Sequence, residues 1–565
     1  MTFTQNFTAV GNNLAFTAIV ALIPILYFFW ALAIKRMKGH IAGLTTLILS
    51  IIIAVIAYKV PVGMAVMSAT QGAVYGVLPI GWIIVASVFL YKLTVKSGQF
   101  EIIRHSVLSI TEDRRLQALL VAFSFGAFLE GAAGFGAPVA ISAALLVGLG
   151  FNPLYAAGIC LIANTAPVAF GAIGIPVIAM EGPTGIAAKE ISKMIGRQLP
   201  FLSVFIPFYL VFIMAGFKKT MEVLPAILVS GFAFAITQYL TSNFLGPELP
   251  DILSALVSLF ALAIFLNFWK PKTIFRFSAE QELAAAVTST SRKTNVVHYT
   301  GGQIFKAWSP FILLTAAISL WGIPTIKLAL SGHYEGSNTI LKAINSIGNA
   351  LTFMPEVPFV HNKMISKAGA APAPAFYKIE LLAAAGTAIL IAAMITKFII
   401  KMSWKNWVQT FGETLNEVKY PLLTIATVVG FAYVINVSGM STTLGLALAK
   451  TGPVLFPFFS PFLGWLGVFI TGSDTSANVL FANLQKVTAE SIGMNPILAL
   501  AANSSGGVTG KMISPQSIAV ACAAVGLAGK ESELFRFTIK HSIFLVIIVG
   551  IIVWLQNAVL SFMIP

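Results

Sequence analysis

The sequence predicts an all-α polytopic membrane protein of about 12 transmembrane spans, built as two inverted-topology repeats with re-entrant hairpins and broken helices. Three observations carry that prediction: a composition too apolar for a soluble surface, apolar runs of membrane-crossing length, and paired motifs that recur with equal spacing. Hydrophobic residues make up 58% of 565 positions and charged ones 10%, whereas a soluble chain of this size needs a charged surface. The 35 Lys+Arg against 20 Asp+Glu give a net charge of +15. They fall in short clusters between apolar runs rather than in one patch interleaved with aromatics, which argues for orientation in a lipid bilayer and against a nucleic-acid partner. Cys160 and Cys522 lie within apolar segments without metal-ligand spacing, so no disulfide framework, metal site or cofactor is expected. The N-terminal "MTFTQNFTAVGNN" lacks the positive region that opens a signal peptide, and the first apolar run is kept as a span.

A helix rises 1.5 Å per residue, so roughly 20 apolar residues cross a hydrocarbon core of about 30 Å. By that yardstick twelve spans fall near 15–34, 41–58, 74–94, 153–180, 199–216, 220–240, 251–268, 306–328, 379–399, 419–437, 496–522 and 540–563. The stretches 116–150 and 454–490 are too long for one span and are interrupted at the middle by Gly and polar residues, so they read as re-entrant hairpins. The polar, Ser/Thr-rich segment 270–305 reads as a cytoplasmic linker between a first half, 1–269, and a second, 306–565.

Lys and Arg in short loops mark the cytoplasmic side. "KRMK" at 35–38 puts the N-terminus outside, and alternation then places Lys92–Arg115, "FKK" (217–219), "WKPKTIFR" (269–276) and "KFIIKMSWK" (397–405) inside, with the C-terminus outside. The outer stretch 331–377 fits less well, since it carries Lys342, Lys363 and Lys367, but long loops obey the rule less strictly.

The two halves share landmarks in the same order. "VKSGQF" (95–100) and "NVSGMS" (436–441) share a Ser-Gly, and in both copies 34 residues separate that serine from a glycine, Gly131 or Gly472. "GFNP" (150–153) then matches "GMNP" (493–496), and Asn164, Gly171 and Pro176 match Asn503, Gly510 and Pro515 with the same internal spacings of 7 and 12. The first Ser-Gly loop carries five Lys/Arg between 92 and 115, while its counterpart between 438 and 456 carries only Lys450. The copies are therefore expected upside down relative to each other, the architecture of secondary transporters whose substrate site lies near the midplane.

Polar side chains and unwound backbone are tolerated at membrane depth only where they are buried in protein or line a watery cavity, and a hairpin tip supplies that setting. Asp474 stands among Thr, Ser and Asn in "TGSDTSAN" (471–478), and Glu130 lies in "FLEGAAGFGAP" (128–138), three residues from the register of Asp474. A charge at mid-membrane costs on the order of 2.5–3.5 kcal/mol, which points to proton coupling by Glu130 and Asp474. The bland alternative is that they cap hairpin helices. Asn164 with Thr165, and Asn503 with Ser504 and Ser505, interrupt equivalent spans and are expected at helix breaks, where half-helix N-termini favour an anion. A kink filled by interhelical hydrogen bonds is the alternative. Lys511 has no counterpart in the first copy, where Ala172 aligns. It suits either a substrate carboxylate or a structural salt bridge to Asp474 or Glu130. "SGGVTGKM" is no phosphate-binding loop, because Ser505 stands where the first Gly belongs and Met512 where Ser/Thr should be.

The blocks "FLEGAAGFGAPVAISAALLVGLGFNPLYAAGICLIANTAPVAFGAIGIP" and "NSSGGVTGKMISPQSIAVA" resemble the bacterial L-lactate permease family, and the resemblance runs nearly end to end. It implies a permease of the bacterial cytoplasmic (inner) membrane that takes up L-lactate and related small 2-hydroxy monocarboxylates such as D-lactate and glycolate with protons. The family is similar to the wider ion-transporter superfamily, whose members move hairpin tips and broken helices as an elevator. The resemblance assigns no residue of the lactate site. From the sequence, the substrate carboxylate is expected against Lys511 and the N–H groups near Asn503, with Ser504, Ser505, Asn164, Thr165, Ser473 and Thr475 placed to hold its 2-hydroxyl. A bound anion beside a buried carboxyl disfavours a second negative charge, so proton and substrate are expected to bind cooperatively.

The transporter alternative is a sodium-coupled carboxylate carrier of the same architecture. A membrane hydrolase would need a nucleophile and base, and no HExxH or GxSxG motif is present. A passive channel is distinguished by whether vesicles concentrate the substrate. The sequence leaves open whether two copies pair as a homodimer.

Overall fold

The computed structural model describes residues 2–134, 137–277, 299–366 and 370–565. Most of the expected linker (278–298), two residues of the first hairpin tip (135–136) and Lys367 lie outside the described residues. Among the described residues, eleven helices are long and apolar enough to cross a membrane, or twelve if the bent pair Pro153–Ala163 and Val168–Thr184, which turns by 65°, counts as one span. Phe16, Ile19 and Ile34 on the first of these, Ile48 and Ile56 on the second, and Phe232 and Ile236 further on all face outward, as a lipid-facing surface requires.

Two spans are much longer than the apolar runs suggest. Val62–Lys96 begins twelve residues before the expected 74, and within its polar first turns Ser68 and Thr70 satisfy their hydroxyls on the carbonyls of Met64 and Val66. Trp404–Ser438 adds a polar first half whose Glu413 and Glu417 pair with Lys96 and Lys92. Along the rest of their length the backbone at Gly72 meets Gly430 and that at Gly76 meets Ala426. As one number rises the other falls, so these two helices, each ending at a Ser-Gly, run antiparallel. The glycines Gly98 and Gly439 then turn the chain with left-handed φ of 74° and 87°.

Both long apolar stretches fold as two-armed hairpins. The first has arms Arg114–Ala132 and Ala137–Gly148, and the second has Gly452–Thr471 and Asp474–Ile492. After each hairpin an asparagine caps the next helix: Asn152 accepts from the backbone N–H of Leu154 and Tyr155, and Asn495 from that of Ile497.

Three expected spans need correction. The helix of 306–328 is Gly301–Gly322, closed off by Ile323-Pro324 before a short helix Pro324–Leu330. The span 379–399 shrinks to Ala385–Ile399, because Ile379–Glu380 pairs as a strand with Thr352–Phe353. The span 496–522 is two helices, Pro496–Lys511 and Pro515–Ala524, and its break falls after Lys511 rather than at Asn503.

Candidate functional site

Each hairpin delivers a carboxyl to the interior by a different local device. The arm Arg114–Ala132 is buried from Arg115 onward and places Glu130 in its last turn. In the second hairpin, Gly472 ends the arm with a left-handed φ of 71°, and Ser473 caps the next helix by accepting from the backbone N–H of Ser476. Asp474 is thereby the first residue of Asp474–Ile492, where the helix dipole favours a negative group.

Between the tips lies a cavity of about 100 Å³. Glu130, Asp474, Lys511, Ser473 and Thr475 line it, together with Gln516 and Ser517 from the start of Pro515–Ala524. A cavity of roughly 150 Å³ takes the six carbons of a benzene ring, so by the same measure this space holds about four non-hydrogen atoms and suits only a small ligand. Ala172 closes one side. It opens three successive left-handed residues, Ala172, Ile173 and Gly174 (φ 45°, 59° and 73°), so the start of Gly171–Thr184 carries real backbone strain at the cavity wall.

The charges are arranged asymmetrically. Lys511 Nζ donates to Glu130 Oε1 at 2.7 Å, and both side chains are largely withdrawn from solvent. Asp474 Oδ2 accepts from the Ser504 hydroxyl at 2.8 Å and from Asn478 Nδ2 at 3.1 Å. Glu130 Oε2 and Asp474 Oδ1 are buried without a hydrogen-bond partner. Glycines make room for both acids: a Cβ at Gly171 would stand 2.8 Å from Glu130 Oε1, and one at Gly507 would run into Asp474 Oδ1.

Of the residues singled out from sequence, Glu130, Asp474, Lys511, Ser473 and Thr475 meet at this cavity. Asn503, Ser504 and Ser505 stand behind it, in the unbroken helix Pro496–Lys511. Their polar groups are satisfied across helices instead of by freed backbone: Asn503 donates to Asn478 Oδ1, Ser504 to Asp474 and Ser505 to Gln198 Oε1. The expected half-helix N-terminus near Asn503 is therefore absent, and the one beside Lys511 belongs to Pro515–Ala524, capped by Ser514. Asn164 and Thr165 do lie at a break, immediately after Pro153–Ala163, but neither is among the cavity-lining residues. Asn478 ties the second hairpin to the broken helix of residues 171–184 by donating to the carbonyl of Pro176 at 3.1 Å.

Three residues escaped the sequence reading. Gln516 and Ser517 follow directly on the Pro515 landmark, and a break placed at the right residue would have exposed them. Asp251, in the first turn of Pro250–Phe268, is buried with neither carboxyl oxygen hydrogen-bonded. Its only sequence signal is an acid at the mouth of an apolar run, three residues after Glu248.

The sequence profile described as L-lactate permease matches residues 17–560. The chain is 71% identical over 565 residues to the L-lactate permease of Bacillus subtilis (strain 168), covering all of both chains. It is 55% identical to the glycolate permease GlcA of Escherichia coli (strain K12) and 53% identical to the L-lactate permease of Salmonella typhimurium, covering 99% of each chain in both comparisons.

Proposed function

The chain belongs to the L-lactate permease family, which makes it a multi-pass membrane transporter and not an enzyme, and from that premise we propose that it takes up L-lactate, D-lactate and glycolate by proton symport. Its place on this reading is the bacterial cytoplasmic membrane, with both termini outside. The observation that carries the mechanism is the Lys511–Glu130 ion pair at the wall of a small cavity.

The substrate carboxylate takes Lys511 from Glu130, and the start of Pro515–Ala524 adds the positive end of a helix dipole. Ser473, Thr475 and Gln516 are placed for the 2-hydroxyl, while Ser504, Asn503 and Asn478 hold Asp474 and the second hairpin in position. The first copy's Asn164 and Thr165 and the second copy's Ser505 act on this reading through the helices they anchor. Glu130 and Asp474 take part in proton coupling as the carboxyls that border the substrate. One proton per monocarboxylate moves no net charge, so the step is indifferent to a membrane potential worth about 2.3 kcal/mol per charge per 100 mV.

The antiparallel course of Val62–Lys96 and Trp404–Ser438 supports reading the halves 1–269 and 306–565 as inverted copies joined by 270–305. Alternating access is then an elevator movement of hairpins and broken helices together.

Uptake by the purified protein in proteoliposomes tests the proposal. Under an inside-alkaline pH gradient and without sodium, labelled L-lactate is expected to accumulate, with competition from D-lactate and glycolate. Accumulation that requires sodium, or mere equilibration, would refute proton symport.

A further inference from the structure

Asp251 is 1% exposed, and neither of its carboxyl oxygens has a hydrogen-bond partner. The first hairpin tip rests on it: a Cβ at Gly131 would come within 2.8 Å of Asp251 Cβ, and Gly131 follows Glu130 directly. The charged groups whose fields act on Asp251 are Glu130 and Lys511, and Glu248 lies three residues before it in the chain. Of the elements packed on its helix, Leu224–Phe244 and Ala118–Phe125 carry no charged residue, and Gly126–Ala132 brings only Glu130. Gly171–Thr184 carries Glu181, ten residues beyond the Gly171 that abuts Glu130 and occupied as an acceptor for the N–H of Ala188. Gly301–Gly322, with Lys306, meets the helix through Phe260 and Trp308, nine residues from Asp251.

Three carboxyls, Glu130, Asp251 and Asp474, therefore share the field of one ammonium in a water-poor site. A buried carboxylate without cation or donor is costly, and so is a Glu130 deprived of Lys511. We propose that Asp251 carries the transported proton and that its O–H replaces Lys511 as the partner of Glu130 when the substrate takes the lysine. This deepens the proton-symport reading and rests on it.

In the loading step a proton from the outer solution forms an O–H bond with a carboxylate oxygen of Asp251, and nothing is oxidised or reduced. Lys511 then swings from Glu130 to the substrate carboxylate, and Asp251 donates to Glu130. Release on the inner side reverses both exchanges. Coupling follows without contact between proton and substrate: while Asp251 is ionised, Glu130 has no other donor and keeps Lys511, so the substrate binds poorly. The loaded and empty sites carry the same net charge, because one anion and one proton enter together.

Asp251→Asn tests this in proteoliposomes, since the amide keeps a donor for Glu130 but exchanges no proton. We expect lactate-for-lactate exchange to persist and to lose its dependence on pH. The accumulation ratio under a pH gradient should fall at least about tenfold, towards the gradient-free level. Asp251→Glu should restore accumulation in part. Wild-type accumulation by Asp251→Asn would overturn the proposal. Loss of exchange together with accumulation, unrestored by Asp251→Glu, would also overturn it by assigning Asp251 a structural role. If instead the wild type exchanges lactate yet accumulates none under a pH gradient, proton symport itself fails, independently of Asp251.

Discussion

Lys511 Nζ stands 2.7 Å from Glu130 Oε1, so the ammonium at the cavity is neutralised by a residue 381 positions away in the chain. The pair joins the end of a helix in the second half to the tip of the first hairpin. Breaking such a buried pair by removing one partner leaves a bare charge and costs about 3–5 kcal/mol, whereas removing both costs far less. Lys511→Met and Glu130→Gln should each lower the unfolding temperature in detergent markedly. The double variant should recover most of the loss while remaining unable to take up lactate. A double variant no more stable than either single one would show that the two residues do not act as a pair.

Asp474 is held through one oxygen and left open at the other. Ser504→Ala removes a hydrogen bond to an acidic group, a change of about 1.5–3 kcal/mol if the group is ionised, and should slow uptake by loosening the tip. Asp474→Asn keeps the shape and should retain lactate exchange while reducing accumulation under a pH gradient. Initial rates and final accumulation ratios, measured side by side, separate the two effects. If Asp474→Asn and Glu130→Gln both accumulate lactate as the wild type does, neither couples the proton.

The parts of this molecule legible in sequence are those governed by the cost of placing polar groups in lipid. Apolar runs give the spans, and Gly with polar residues at their middles gives the hairpins. Glu130, Asp474 and Lys511 stand out because a charge in such a run demands a reason. Asn503, Ser504 and Ser505 show where that logic stops. A polar triplet in an apolar helix looks the same whether the backbone breaks there or the side chains find partners on neighbouring helices, and only the packing against Asn478, Asp474 and Gln198 decides it. Asp251 was illegible for a related reason. As the first residue of the expected span 251–268 it reads as a span-end residue at the membrane surface, and what makes it interior is the hairpin tip at Gly131 laid over it, a contact 120 residues away in the chain.

The glycines of Pro496–Lys511 let it lie against Gly452–Thr471 backbone to backbone, and the cost of filling them should follow what each added methyl meets. At Gly506 the methyl runs into the carbonyl of Pro461, which is fixed in a helix, and at Gly507 into the movable Asp474 carboxyl. Gly506→Ala should therefore be destabilising at the upper end of the roughly 1–3 kcal/mol range for overpacking and should poorly support expression. Gly507→Ala should cost less stability but displace Asp474 and reduce uptake. Gly98→Ala has open space around it and a left-handed backbone, so it should cost about 1 kcal/mol and leave transport intact. Thermal melts of the three variants check the order.

At the start of the first hairpin arm, buried Arg115 donates to Asp113 at 2.7 Å, to Glu222 at 2.8 Å, and to the carbonyls of Lys219 and Thr273. It thereby fastens the arm both to the end of Leu199–Met221 and to the chain entering the linker. The Arg115 hydrogen bond holds the Glu222 carboxyl below its ordinary value of 4.5. A group whose native value is depressed stabilises the fold above its unfolded value and loses that contribution as pH falls through the native one. The unfolding-temperature gap between wild type and Glu222→Gln should accordingly be small but constant at neutral pH and should close below about pH 4.5. Arg115→Met should be destabilising by about 3–5 kcal/mol across the range above that, because Asp113 would be left buried without its cation. A Glu222→Gln gap that stays unchanged well into acid would mean that Glu222 contributes through shape and not through its charge.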